Sequence, residues 1–374
     1  MRQVSGVLRR PRGPDATGVF DSPGAFQRAL LIWYRRGARD LPWRRTRDAY
    51  RIWVSEIMLQ QTRVETVLGY YARFLAVFPT VQALAQAPLP EVLRVWAGLG
   101  YYTRARNLHR AAQMIVNERD GRCPATAAEW RELPGIGRYT AGAIASIAQR
   151  ECVPAVDGNV KRVLARLFCI REPIDLPATQ ARLWQLAEDL LPRRAPGDFN
   201  QGLMELGARV CTPRGPRCED CPVKTWCLGH ARGNPERLPR RRARGPVRQV
   251  EVVVAILRAR GRLLLVRRPA TGLLAGLWTL PGGELMDKQL QTDALRSILK
   301  VRWGLSISVG RRVEVVEHHF SHQHWRVYVY ECELERGRLH AGTTESTQWV
   351  SPARLTTYPL ASLDRKLLRT LTVC

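Results

Sequence analysis

Leu133-Pro134-Gly135-Ile136-Gly137-Arg138-Tyr139-Thr140-Ala141, followed by small and apolar residues as far as Ala148, decides the first half of the fold. Gly135 and Gly137 permit a tight turn with no Cβ in the way. The backbone N–H groups of that turn then face outward at a helix N-terminus, where hydrogen bonds and the helix dipole both favour a phosphate. A lone Gly-x-Gly before a helix is also an ordinary cap. Its neighbours give it weight: about twenty residues on comes an aspartate, Asp157, and then a loop rich in cysteine.

Working outward, the chain from Phe26 to about Gly207 repeats apolar residues every three and four positions between Pro and Gly breaks, which predicts a helical domain. Tyr50, Trp53, Val54, Ile57 and Met58 share one helix face. Gly229 to Gln249 is polar, Arg-rich and broken by Pro235, Pro239 and Pro246, which reads as a linker. Beyond it, β-branched runs at Val250 to Leu257, Leu263 to Val266, Val313 to Val316 and Trp325 to Tyr330 predict an α+β domain. The expected organisation is a disordered basic tail over 1–22, a helical domain over 23–228, a linker over 229–249 and the α+β domain over 250–374.

Across 374 residues, 59 Lys and Arg against 33 Asp and Glu leave a formal charge of +26, a surface that seeks polyanions, nucleic acid first. A merely solvated basic surface is the alternative. No run of about 18 apolar residues occurs, so no membrane span is expected. The basic start has no signal-peptide apolar segment, and Pro11, Gly13 and Pro14 interrupt any transit-peptide helix. We expect a cytoplasmic monomer, nucleoid-associated if bacterial. Nine cysteines in such a protein argue for metal rather than disulfides.

Cys211, Cys218, Cys221 and Cys227 read C-x6-C-x2-C-x5-C, four thiolates able to enclose a tetrahedral metal or a cubane cluster. Arg214, Arg217 and Lys224 interleave with them. Two carboxylates also stand out. Glu56 has Ile52 one turn before it and Leu59 one turn after, so its carboxyl should be poorly solvated and hold a proton near neutrality; an exposed residue paired with an arginine is the alternative. Asp157 precedes an apolar-periodic helix and is read as an N-cap, a place that keeps a carboxylate ionised and its pKa low. Two carboxyls with divergent pKa values suit a glycosidase.

Taken together, the cysteine spacing, the hairpin and Trp53-Val54-Ser55-Glu56-Ile57-Met58-Leu59-Gln60-Gln61-Thr62 resemble the endonuclease III and MutY superfamily of helix-hairpin-helix glycosylases, and the MutY family in particular. The resemblance implies a four-iron four-sulfur (4Fe-4S) cluster on the four cysteines. It also implies hydrolysis of the N-glycosidic bond of adenine opposite 8-oxoguanine or guanine in double-stranded DNA, the base being extruded because a stacked base is out of reach. Glu56 becomes the general acid, Asp157 the oxocarbenium stabiliser or nucleophile, and Asn159 and Tyr139 orient it and the water. A lysine occupies the position of Tyr139 in strand-cutting relatives, so a monofunctional enzyme is implied.

The same resemblance assigns Arg39, Trp43, Arg44 and Gln201 to the adenine pocket, Trp43 being equally readable as core. Gln201 can pair with adenine's donor and acceptor edge. Gln61, Thr62, Leu99 and Tyr101 are placed at the opened stack, Tyr101 within Gly98-Leu99-Gly100-Tyr101-Tyr102, and Gly135 and Gly137 at the backbone.

In the C-terminal part, Leu280-Pro281-Gly282-Gly283-Glu284 resembles a Nudix-like fold, yet the positions that would carry magnesium-binding carboxylates hold Gln289, Val301 and Arg302. Nucleotide hydrolysis there is not expected. Phe320-Ser321-His322 matches the family's 8-oxoguanine-reading loop, and the surrounding histidines, four of seven, raise a metal site as a question. A related monofunctional glycosylase acting on another mispaired base is the alternative function, and a DNA-binding module without catalysis would need neither carboxylate.

Overall fold

The computed structural model describes residues 23–371 apart from 244, 246, 270, 271, 273, 287–289, 321, 322 and 337–345. The expectations for the 1–22 tail, for Gln289 and for Ser321 and His322 lie outside the described residues. Two compact units emerge, one of residues 1–56 and 123–243, the other of 57–122 and 244–374.

The first unit is helical. It holds α1 (Pro23–Gly37), most of α2 (Ala49–Leu59), and, after the excursion of the chain into the second unit, α7 (Ala127–Trp130), α8 (Arg138–Ile144), α9 (Gly158–Leu167), α10 (Pro177–Leu190), α11 (Pro196–Arg209) and α12 (Leu228–Ala231). Phe26 and Leu30 of α1, Val160 and Leu164 of α9, Leu183 of α10 and Phe199, Leu203 and Leu206 of α11 form one apolar core. Phe26 meets Phe199 and Trp226 edge-on, at ring-centroid distances of 6.2 and 5.8 Å. Helix α2 departs from its predicted amphipathicity: every residue from Ile52 to Met58 is buried, Ser55 and Glu56 included. A helix covered all round is a core helix. Ser55 is satisfied by donating to the Ile52 carbonyl at 2.7 Å. The segment read as linker begins ordered against this unit, with Leu238 buried and the Arg240 carbonyl accepting from Ile174 N at 2.9 Å.

The second unit combines α3 (Val64–Val77), α4 (Val81–Gln86), α5 (Leu89–Trp96) and α6 (Thr103–Glu118) with a sheet and two further helices, α13 (Gln291–Trp303) and α14 (Ser362–Leu371). Its strands are β1 (Arg248–Ala259), β2 (Arg262–Arg267), β3 (Trp278–Thr279), β4 (Gly282–Glu284), β5 (Ser306–His319), β6 (Gln323–Arg336) and β7 (Thr347–Val350). They run in the order β3-β2-β1-β6-β5, with β4 on β1 and β7 on β2. Strands β1 and β6 are parallel from Arg248 opposite Gln323 to Arg258 opposite Glu333; the other pairings are antiparallel. Val252, Val254 and Ile256 face a core with Leu363 and Leu367 of α14, while Val253, Ala255 and Leu257 face one with Leu295 and Leu299 of α13. Cover on both faces explains why β1 reads as an unbroken apolar run. All four β-branched runs are strands, and each extends past its predicted ends, because polar residues at strand ends still pair.

Candidate active site

Helix α2 delivers Glu56 into the first unit at 6% exposure. Its Oε2 accepts a hydrogen bond of 2.7 Å from the Tyr139 hydroxyl, which also lies 3.4 Å from Met204 Sδ. Burial pushes the Glu56 carboxyl up to about 7; the charge of Asp157 adds to the rise, while the Tyr139 bond and the Arg44 charge oppose it. Desolvation disfavours the carboxylate, as expected of an acid that must carry its proton near neutrality. With Oε2 engaged as an acceptor, Oε1 is left to bear that proton. Burial likewise raises the Tyr139 hydroxyl well above its ordinary value, so it stays a donor.

The predicted hairpin positions Tyr139. Thr126 and Glu129 cap α7 reciprocally, the chain turns through Gly135 at φ +82°, and Gly137 enters α8 in an extended conformation with its carbonyl accepting from Ala141 N at 3.0 Å. A Cβ built on Gly137 would meet nothing, so the turn is open on that side. Helix α8 then runs into a single π-helical turn, Ala145–Gln149.

Asp157 caps α9, as its sequence position predicts. Oδ1 accepts from Val160 N at 2.7 Å and Oδ2 from Asn159 Nδ2 at 2.9 Å. Its expected low pKa is corrected: burial raises the carboxyl above the usual aspartate value, outweighing the Val160 and Asn159 N–H bonds and the Arg162 charge that lower it. Both carboxyls are therefore shifted upward, and what divides them is hydrogen bonding: one hydroxyl for Glu56, several N–H groups for Asp157 that hold its ionised form. Arg162 supports this arrangement, donating to Asn159 Oδ1 at 2.8 Å, to the Gly207 carbonyl at 2.7 Å and to the Cys211 carbonyl at 2.8 Å.

Gly207 leaves no room for a side chain: an added Cβ would lie 2.6 Å from Asn159 Cβ and 3.1 Å from its Cα. Gly207→Ala should push Asn159 and the α9 N-terminus away from Asp157. We expect a destabilisation of roughly 1–3 kcal/mol, the usual cost of overpacking, with a larger fall in base release than melting at the assay temperature explains. Thermal denaturation and single-turnover release on the same preparation check it; unchanged release would show that Asn159 can move without consequence.

A residue that sequence reasoning missed organises the predicted adenine pocket. Glu205 of α11 is fully buried, and receives Arg39 at 2.9 and 2.8 Å and Arg44 at 2.8 Å. Burial alone would raise Glu205, but these guanidinium groups reverse it and hold the carboxyl at about 2. Arg39 and Arg44 are thus paired with protein, and Trp43 between them is buried. Gln201, on the same helix as Glu205, instead lines a cavity of about 620 Å³ with Arg35, Arg44, Arg150 and Asp198. The place of Glu205 one helical turn after Gln201 was the available sequence signal.

The four loop cysteines line one small cavity with Arg166 and Lys224. Arg166, 1% exposed, sends a guanidinium N–H to Cys211 Sγ at 3.2 Å and others to the Thr212, Pro213 and Leu238 carbonyls. Among the described residues, the group with three ligand atoms all within 4.8 Å of one another is Glu317, His319 and His324, with no cysteine in it. Four thiolates on one zinc stand roughly 3.8 Å apart, the tetrahedral edge for a bond of about 2.3 Å. Among the described residues, no three of the loop cysteine sulfurs lie within 4.8 Å of one another.

The other predicted contact residues lie in the second unit. Gln61 and Tyr101 are exposed, Thr62 is half-buried and Leu99 is buried. At the β5–β6 end, Phe320 packs edge-on against His318 and Trp325, with ring centroids 4.6 and 4.9 Å apart, and its N–H donates to the Gln323 carbonyl at 2.8 Å. His319 and His324 stack at 4.0 Å. On α13, Val301 is exposed and Arg302 donates to the Gly282 carbonyl at 3.1 Å, an apolar and a cationic group where hydrolysis would need carboxylates.

A helical unit with a glycine hairpin, a protonatable buried glutamate and an N-capping aspartate is matched by a known class. Residues 54–189 fit the family described as HhH-GPD superfamily base excision DNA repair protein, and residues 252–370 fit the NUDIX domain. The fold is that of a DNA glycosylase. The chain is 38% identical to the adenine DNA glycosylase of Homo sapiens, over 92% of this chain and 73% of that protein, and 38% identical to that of Arabidopsis thaliana over 90% and 63%. A solved structure of a thermostable thymine-DNA glycosylase, 31% identical, superposes with a TM-score of 0.52 over 58% of this chain and all of that one. The chain belongs to the adenine DNA glycosylase family. No described helix is long and apolar enough to cross a membrane.

Proposed function

We propose that this enzyme hydrolyses the N-glycosidic bond of adenine mispaired with 8-oxoguanine or guanine in double-stranded DNA. The observation that carries the chemistry is Glu56: buried, held on one oxygen by Tyr139 and pushed up to about 7. An extruded adenine offers its imidazole ring to Glu56 Oε1, and proton transfer there turns the base into a neutral leaving group. Positive charge then develops on the sugar. Asp157, its ionised form held by Val160 and Asn159 N–H groups, stabilises that charge or bonds to the sugar carbon, and water completes hydrolysis. Tyr139 keeps Glu56 aligned without itself losing a proton. Gln201, facing the 620 Å³ cavity, supplies a carboxamide for the adenine edge. The residue at position 139 is a tyrosine with no amine to form a Schiff base, which favours base release without strand cleavage.

Cys211, Cys218, Cys221 and Cys227 would hold a 4Fe-4S cluster, supported by the one cavity they line and by Arg166 beside Cys211 Sγ. When bound, the cluster's contribution is structural: it fixes the loop that carries Arg214, Arg217 and Lys224 toward a phosphate backbone. Phe320, Ser321 and His322 are assigned to 8-oxoguanine, Gly135 and Gly137 to the phosphate backbone, and Gln61, Thr62, Leu99 and Tyr101 to the opened stack.

Single-turnover base release from duplexes carrying adenine opposite 8-oxoguanine, adenine opposite guanine, and thymine opposite guanine tests the substrate. Wild-type protein with about four irons per chain should release adenine from the first two, and Asp157→Asn should slow this by about 10²- to 10³-fold, the scale of one lost electrostatic stabiliser. Release of thymine alone would transfer the enzyme to the specificity of its thymine-DNA glycosylase relative.

A further inference from the structure

Arg104, the second residue of α6, is buried to 9% exposure, yet no carboxylate pairs with it among the described residues. Its guanidinium is held by oxygens of two separate turns. Nη1 donates to the Ile57 and Met58 carbonyls at 2.9 and 2.8 Å and to the Gln60 carbonyl, at the end of α2. Nη2 donates to Thr62 Oγ1, Leu99 O and Gly100 O, each at 3.2 Å. The same group lies 5.4 Å from the ring centre of Trp96 and 5.3 Å from that of Tyr101. Burial pushes Arg104 down to about 10, still charged at neutral pH. A cation removed from water and given only carbonyl and hydroxyl partners is an expensive way to join two turns, and apolar packing would join them at lower cost.

Both turns carry an unusual backbone at a residue whose side chain is exposed. Gln61 has φ +57° and Tyr101 φ +47°, left-handed values that non-glycine residues rarely adopt; Gly98 at +102° and Gly100 at +75° flank Tyr101. Tyr101 is nonetheless 49% exposed, with its ring left outside the core. Each strained residue follows or lies beside a carbonyl that Arg104 holds: Gln60 before Gln61, Gly100 before Tyr101. Trp96 Nε1 adds a bond of 3.1 Å to the Gly100 carbonyl.

We propose that Arg104 is a positioning residue that presets Gln61 and Tyr101 as a pair for opening the base stack. Resting on the assignment of those two residues to the opened stack, the proposal adds what fixes them: one planar guanidinium whose two Nη groups tie both turns at once. Without it the left-handed conformations relax, and the side chains must be reorganised at every encounter with DNA. Lysine keeps the charge but, as a single point donor, cannot span both turns.

The test compares wild type, Arg104→Lys and Arg104→Gln as full-length, cluster-loaded protein on two duplexes. In one, adenine is stacked opposite 8-oxoguanine; in the other it stands opposite an abasic site, where less stacking must be broken. Both Arg104 variants should lose about 100-fold in single-turnover release from the stacked duplex and less than about fivefold from the pre-opened one. A 2-aminopurine reporter beside the target base should show slower unstacking in the same proportion. Equal losses on both duplexes would overturn the proposal and reduce Arg104 to support of the fold, and so would no loss on either. Should the variants fail to fold, Trp96→Phe, which removes the Nε1 bond to the Gly100 carbonyl and keeps an aromatic ring beside Arg104, should slow the stacked substrate about threefold more than the pre-opened one, and equal losses on the two duplexes would again overturn it. Wild-type protein that opens the stack by 2-aminopurine fluorescence but releases no adenine would sink the substrate reading and leave the Arg104 comparison intact in that signal.

Discussion

Glu56→Gln should bind a mispaired duplex as the wild type does and release adenine about 10²- to 10⁴-fold more slowly, the range of one general acid. The carboxamide keeps the size of the side chain and can still accept from Tyr139, so only the transferable proton is removed. In the wild type the single-turnover rate should be highest below pH about 7 and fall as the pH rises through that value, since the protonated acid is the active form and burial has moved it there. Stability moves the same way for the same reason. The folded-state pKa of about 7 lies above the ordinary 4.5, so between those values the folded protein holds a proton that the unfolded chain has lost. Stability therefore declines as pH rises across that window. Glu56→Gln escapes the penalty. It should be more stable than wild type at pH 8 by on the order of 1–3 kcal/mol and show no such gain at pH 4. A variant that is slower and yet melts higher would identify the carboxyl as a group kept for chemistry at the expense of the fold. A flat pH profile for wild type would remove Glu56 from the acid's role.

Glu205→Ala is expected to have the largest effect on the fold. Arg39 and Arg44 converge on this fully buried carboxylate, and deleting it leaves two cations facing one another without their acceptor. Breaking a buried ion pair from one side typically costs about 3–5 kcal/mol. For a protein of this size that is a fall in melting temperature of about 4–6 °C. The folded pKa of about 2 lies below the ordinary 4.5, so the stabilisation is complete above pH about 4.5 and is lost as pH falls toward 2. Glu205→Gln, which keeps the shape and part of the hydrogen bonding, should lose less. If Glu205→Ala melted within 2 °C of wild type, the two guanidinium groups would have to find other acceptors, and the pocket's dependence on Glu205 would be refuted.

Much of the molecule was legible because its chemistry is local. Asp157 sits where an N-cap must sit, Gly135 takes the left-handed turn its lack of Cβ allows, and the β-branched runs became strands around Val252 to Leu257 and Val327 to Val329. Glu56 was legible too, although the physical reason is stronger than periodicity supplied: α2 has no solvent face between Ile52 and Met58. What escaped were features created by convergence of distant segments. Nothing near Glu205 in sequence announces that Arg39 and Arg44, 166 and 161 residues away, will choose it. In the sequence Arg104 is one basic residue among many, close to two tyrosines, because carbonyl groups that accept from a cation leave no mark in a sequence. The Asp157 pKa was misjudged for a related reason: the cap's dipole and N–H bonds are local, whereas the burial that overrides them is not.

The discontinuous build of the first unit sets a timetable for synthesis. Residues 1–56 belong with 123–243, so α2 leaves the ribosome long before its companions. Tyr139 follows Glu56 by 83 residues and Glu205 follows Arg39 by 166. At about 5–20 residues per second, Arg39 waits roughly 8–33 s for Glu205. For that interval the apolar surface of α2 has no native cover from the later helices. A chain interrupted between residues 123 and 205 is thus a sticky half-core with an unneutralised arginine pair, a natural client for chaperones and proteases.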